Sequence, residues 1–157
     1  MSIEITAKIE KKILSADIIK QSLCNFFKCK VNMCRIDKNK YKFTCFYQND
    51  DIIMYYCDNF KCHYWDSIIL KEEYSYLQNL LFYVSKYSDV NKTFEIVLKF
   101  IIEVQKTYNS EIIITSNIHD EICYINGESK ITWSDNYGYI KNIIKCNDLI
   151  IEKVGDS

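Results

Sequence analysis

In 157 residues this chain uses three glycines and no proline. Phosphate-cradling P-loops and the turns of dinucleotide-binding folds need glycines at fixed positions, so both are excluded. Turns have to be made by asparagine, aspartate, lysine and serine, and the stretches DKNK, QNDD and NGES supply them. Between the turns the apolar residues follow two different periods. SIEITAKIEKKI alternates Ile3, Ile5, Ala7 and Ile9 with polar or charged residues, the pattern of a half-buried strand. Ile18, Ile19, Leu23, Phe26 and Phe27 then recur at helical spacing, with Ser15 placed to cap the helix and Asp17 favourable to its dipole.

KVNMCRI, KYKFTCFY and DIIMYYC follow as a three-strand antiparallel meander. KEEYSYLQNLLFYVSKYSD sets Tyr74, Leu77, Leu81, Val84 and Tyr87 on one face and predicts a helix ending near Ser88. VNKTFEIVLKFIIEVQKTYN repeats the pattern through Phe94, Val97, Leu98, Ile101 and Val104, a second helix capped around Asn91. EIIIT, EICYI and KITW read as three short strands, the last two joined by NGES, and the tail YIKNIIKCNDLIIEKV fits either a strand or a short helix. With no linker or repeat, residues 1–157 are expected to form a single domain. The predicted fold is α+β, an antiparallel sheet with helices packed on one face, in the order β-α-β-β-β-α-α-β-β-β. Its core is expected to set Leu77, Leu81, Phe94, Leu98 and Ile101 against a sheet face that presents Ile3, Ile5 and Ile113.

The net charge is −1 and no basic stripe is concentrated in the sequence, so neither nucleic acid nor an anionic membrane is an expected partner. Arg35 is the only arginine, a poor endowment for gripping phosphorylated substrates. Charged residues interrupt every apolar run before it reaches membrane-spanning length. MSIEITAKIEKK lacks the apolar core and cleavage site of a secretion signal, which predicts a cytoplasmic protein whose eight cysteines are free thiols.

The densest chemistry lies in IMYYCDNFKCHYWD, Ile53 to Asp66. Cys57, Cys62 and His63, with Asp66, are the candidate metal ligands. Structural zinc sites bring cysteines two to four residues apart in two separate pairs with turn glycines, whereas here the gap is four residues, no glycine is present and a second pair is missing. A cysteine nucleophile needs a base close in space, and His63, next to Cys62, would point to the opposite face of a strand. His119, Asp120 and Glu121 could serve acid–base catalysis in a small nuclease or hydrolase, but they are also what a polar hairpin turn contains. No metal and no cofactor is expected. Tyr55, Tyr64, Trp65 and Tyr76 beside Asp58, Asp66, Glu72 and Glu73 have the composition of a protein-binding patch for a basic partner; closing the core is their other use.

The segments MSIEITAKIEKKILSADIIKQSL and FEIVLKFIIEVQKTYNSEIIITSNIHDEICYINGESKITW follow a pattern of strand, early helix, late helix and short closing strands. In this the chain resembles the small cytosolic immunity proteins of bacterial polymorphic-toxin and contact-dependent growth-inhibition systems. Members often carry an Asn-Gly-Glu turn between the first two C-terminal strands; here Ser116 to Asp120 holds that place and Asn126-Gly127-Glu128 comes one hairpin later. The resemblance implies a protein that is not an enzyme and that neutralises one cognate toxin C-terminal domain in a 1:1 complex. A nuclease toxin is the expected partner, and a small cytosolic enzyme or a non-enzymatic viral or host interaction protein are the alternatives.

Overall fold

The computed structural model describes residues 3–47, 50–84, 90–117, 120–134 and 151–153. The chain opens with β1 (Ile3–Ile9) and α1 (Ala16–Phe27), then runs through β2 (Val31–Asp37), β3 (Lys40–Tyr47), β4 (Asp50–Ser67) and β5 (Glu72–Val84). After α2 (Val90–Tyr108) come β6 (Ile112–Ser116), β7 (Asp120–Ile125), β8 (Ile131–Trp133) and β9 (Ile151–Lys153). All the strands join one sheet in the order β2-β3-β4-β5-β1-β6-β7-β8-β9. Neighbours are antiparallel except β8 and β9, which run parallel. The fold is α+β.

The predicted order needs one correction. Residues placed in a helix from Glu72 onward form β5, a central strand hydrogen-bonded to β4 and β1. Apolar residues occupy both faces of β5, so consecutive positions are apolar: Leu80 and Phe82 are buried on one side, Leu81 and Tyr83 half-buried on the other. Such a run satisfies a helical stripe as well as a strand, and pairing with two neighbours decided for the strand. Leu77 and Leu81 are therefore half-buried rather than core residues. Ile113 is fully buried, but register pairs it with Lys8, on the face opposite Ile5. The side chains of Ile3 and Phe94 lie outside the described residues, as does the tail apart from residues 151–153, which are strand.

Elsewhere local chemistry and structure agree. Ser15 accepts a hydrogen bond from the Ile18 amide at 3.2 Å and so satisfies a donor that the first turn of α1 leaves free. Lys28 closes the helix in a left-handed conformation. Ile5, Ala7 and Ile9 of β1, Met54 and Tyr56 of β4, and Leu80 and Phe82 of β5 share one core with Ile19, Leu23 and Phe27 of α1 and Leu98 and Ile101 of α2. Phe100 of α2 meets Phe26, Phe27 and Phe82 at centroid distances of 5.4, 5.8 and 5.8 Å. Each such ring or aliphatic chain contributes roughly 1.5–3 kcal/mol by leaving water.

Gln78, fully buried in β5, ties the β1–α1 connection to the sheet. Its Oε1 accepts from the amides of Ile13 and Leu14 at 3.0 Å, while its Nε2 donates to the Leu14 carbonyl and the Tyr56 hydroxyl at 2.9 Å. A buried amide with its donors and acceptors used in this way fixes the loop without the cost of an unpaired polar group.

Candidate functional site

The eighteen residues of β4 would extend about 60 Å if straight, far more than a domain of this size spans. The strand gives way at a register shift between Asp58 and His63. Beyond it, His63–Ser67 and Glu72–Tyr76 continue as a two-stranded ribbon, paired Trp65 with Tyr74 and Asp66 with Glu73. The ribbon folds over the sheet face opposite Ala7 and Ile9, across β1, β6 and β7.

One carboxylate holds it there. Glu121 of β7 is 6% exposed and accepts four hydrogen bonds: from Trp65 Nε1 at 2.6 Å, the Ile68 and Ile69 amides at 2.9 Å each, and Ser67 Oγ at 3.3 Å. Lys8 lies beneath, its Nζ 4.4 Å from the Trp65 ring centroid and 5.8 Å from that of Tyr76, donating to Thr115 Oγ1 at 2.8 Å. Burial pushes the Lys8 ammonium down to about 8, against the pull of the Glu121 charge. The Tyr74 hydroxyl adds a third tie, 2.9 Å from the carbonyls of both Lys8 and Glu111.

These contacts divide the aromatic and acidic residues singled out in the sequence. Trp65 and Tyr76 face inward and hold the ribbon down. Tyr64, 63% exposed, with Asp66 and Glu73, faces outward, and Glu72 is exposed at the ribbon's end. Tyr55 and Asp58 belong to the sheet before the bend. Tyr55 makes an edge contact with Tyr83 at 5.6 Å under the Lys40 ammonium at 5.0 Å. Asp58 pairs with Lys12 at 3.4 Å and accepts from Gln78.

Asp66 and Glu73 are direct cross-strand partners, so two carboxylates oppose each other on an exposed face, an arrangement that costs stability. Beside them a cleft of about 170 Å³ is lined by Glu10, Glu72, Glu73, Tyr74, Glu111 and Tyr124. Glu10 and Glu111 share a hydrogen bond that, with partial burial and the neighbouring charge, raises Glu10 to about 7 and lowers Glu111. The Tyr124 hydroxyl donates to Glu111 as well. Glu73 belongs to both the ribbon and the cleft, and Lys11 is the cation near Glu10 and Glu111.

The other candidates fare differently. Cys57 is half-buried, Cys62 and His63 are exposed, and among the described residues no three metal-ligating side chains are gathered in one place. His119 lies outside the described residues; Asp120 is exposed, and the Glu121 carboxylate is committed to the ribbon. The roles of Glu121 and Lys8 were missed in the sequence. Lys8 sits at the polar phase of an alternating strand, where solvent exposure is the default, and nothing local marks the fold of a hairpin fifty residues away. The chain was compared with family models, with curated proteins and with solved structures, and it matches none of them.

Proposed function

We propose that this chain is an immunity protein that binds one cognate toxin C-terminal domain in a 1:1 complex, without catalysis, and that the outer face of the ribbon is its docking surface. In this reading both helices occupy one face of the sheet, the ribbon is presented from the other, and the protein acts in the cytoplasm. The observation that carries the reading is the Asp66–Glu73 pair. Two carboxylates held face to face, with Glu72, Glu10 and Glu111 close by, are unfavourable in the free protein. A cationic partner would relieve that cost. A toxin that cuts nucleic acid is basic around its active site because it must hold phosphates. Covering that site with carboxylates speeds association, and Tyr64 supplies aromatic area for the contact.

The test is calorimetric titration of the purified protein against the toxin domain encoded beside it, together with an assay of toxin activity. Stoichiometric binding with loss of activity is expected. A wild-type protein that neither binds nor protects would rule out the immunity role.

A further inference from the structure

Among the described residues the sheet ends at β2, which pairs only with β3. Six of its seven residues are exposed, among them Met33 at 39% and Ile36 at 51%. A free edge presents a row of amides and carbonyls that another strand can complete. Here the regular stretch is Val31–Arg35, because the register shifts between Arg35 and Asp37 and Arg35 Nε donates to the Asp37 carbonyl at 3.2 Å. The setting of this edge is strongly basic, which corrects the expectation that the chain concentrates no basic stripe. Lys28, Lys30, Arg35, Lys38, Lys40 and Lys42 stand against Asp37 alone, giving +5 over residues 28–42 in a chain whose net charge is −1. Among the described residues, Lys28, Lys30, Lys38 and Lys42 form no ion pair. Arg35 and Lys40 lie instead over the rings of Tyr41 and Tyr55, at 5.9 and 5.0 Å.

We propose that β2 is a strand-addition site for an extended acidic segment of a partner protein, one carrying apolar residues at alternate positions. Main-chain hydrogen bonds to the edge would give affinity, Met33 and Ile36 would pack against the alternate apolar residues, and the flanking cations would select acidic neighbours. The same charges disfavour other occupants. A second copy pairing β2 with β2 would bring two basic hairpins together. Nucleic acid would meet a single arginine fork and two rings already covered by the protein's own cations. Lysines on an edge can serve only to repel strands. That role is ill matched to exposed Met33 and Ile36 on the strand itself, with most of the cations flanking it.

The surface is separate from the acidic ribbon, so its test does not depend on the toxin. The full chain would be titrated by fluorescence anisotropy with a labelled, capped peptide alternating glutamate and valine, in parallel with its lysine–valine counterpart and with single-stranded oligothymidylate. Amide hydrogen exchange would be followed with and without the acidic peptide. Binding of the acidic peptide, slower exchange confined to residues 31–37, and a loss of about tenfold or more in affinity for Arg35→Glu/Lys38→Glu support the site. Asp66→Asn should leave this binding unchanged. No binding of the acidic peptide, equal binding of the lysine peptide, tighter binding of the oligonucleotide, or protection elsewhere in the sheet would each overturn it. So would dimerisation through β2 in the unliganded protein, seen by light scattering. Because both substituted side chains are exposed, the variant is expected to fold, and the exchange measurement on wild type stands without it.

Discussion

At the scale of single residues, Glu121 and Lys8 do opposite things within a few ångströms of Trp65. Glu121 is a buried acid with every donor around it aimed at its oxygens, so its removal strands those donors. Glu121→Ala is expected to cost about 3 kcal/mol or more, because the Trp65 indole and the Ile68 and Ile69 amides lose their acceptor together. Urea unfolding would measure it, and a change under about 0.5 kcal/mol would mean the ribbon is not held by this carboxylate. Lys8 is a cation kept where cations are costly. Its folded value, about 8, lies below the ordinary lysine value of 10.5, so between the two the unfolded chain binds more protons. Stability should then rise as pH climbs from about 8 towards the ordinary lysine range. The rise should end near pH 9, where Cys45, Cys57 and Cys123, whose thiols burial holds above their usual value, begin to ionise in the unfolded chain first, with Tyr74 and Tyr56 following at higher pH. Lys8→Met should abolish the rise and leave the protein as stable as wild type or more so at neutral pH, since an apolar chain of similar length replaces a desolvated charge. A thermal midpoint still climbing with pH in Lys8→Met would assign the effect to another group.

At the scale of elements, what could be read from the sequence depended on how far each element relies on its own residues. β1, α1, β2 and β3 carry clean periods and their own turns and cap, and they form close to where the pattern places them, whereas β4 begins as expected but runs on past Cys57 to Ser67. α2 is equally legible, because Val97, Leu98, Ile101 and Val104 make a stripe that a strand could not bury on one face. Leu98, with none of its surface exposed, tests the helix phase: Leu98→Ala should cost roughly 2–5 kcal/mol by opening a cavity. A thermal midpoint within error of wild type would place Leu98 at the surface. β5 was the failure. Its run Leu80-Leu81-Phe82-Tyr83 supports either period, and only partners distant in sequence, β1 among them, settle which. The ribbon was half legible for the same reason. Its acidic and aromatic composition stood out in IMYYCDNFKCHYWD, but which rings turn inward depends on the bend after Asp58 and on Glu121, more than fifty residues further on.

At the scale of the whole molecule, the ribbon's outer face should trade stability for binding, and that trade can be measured. Neutralising the opposed carboxylates in Asp66→Asn/Glu73→Gln removes a cross-strand repulsion, so the double variant should be more stable by about 0.2–1 kcal/mol. If the same carboxylates steer a basic toxin domain onto the ribbon, the variant should bind it more weakly. The loss should fall mainly in the association rate and shrink as salt is raised past about 0.15 M. Tyr64, exposed on this face, should behave as a contact anchor: Tyr64→Ala is expected to cost about 2 kcal/mol of binding with unfolding unchanged. Trp65→Ala provides the contrast. With its indole bound to Glu121 and its ring over Lys8, it should lower affinity and stability together, because it lets the ribbon move instead of removing a contact. Stopped-flow association and urea unfolding on the four proteins, wild type included, separate these outcomes. Equal association rates for wild type and the charge-neutral variant, with Tyr64→Ala binding normally, would move the docking surface off the ribbon even if the toxin is still neutralised.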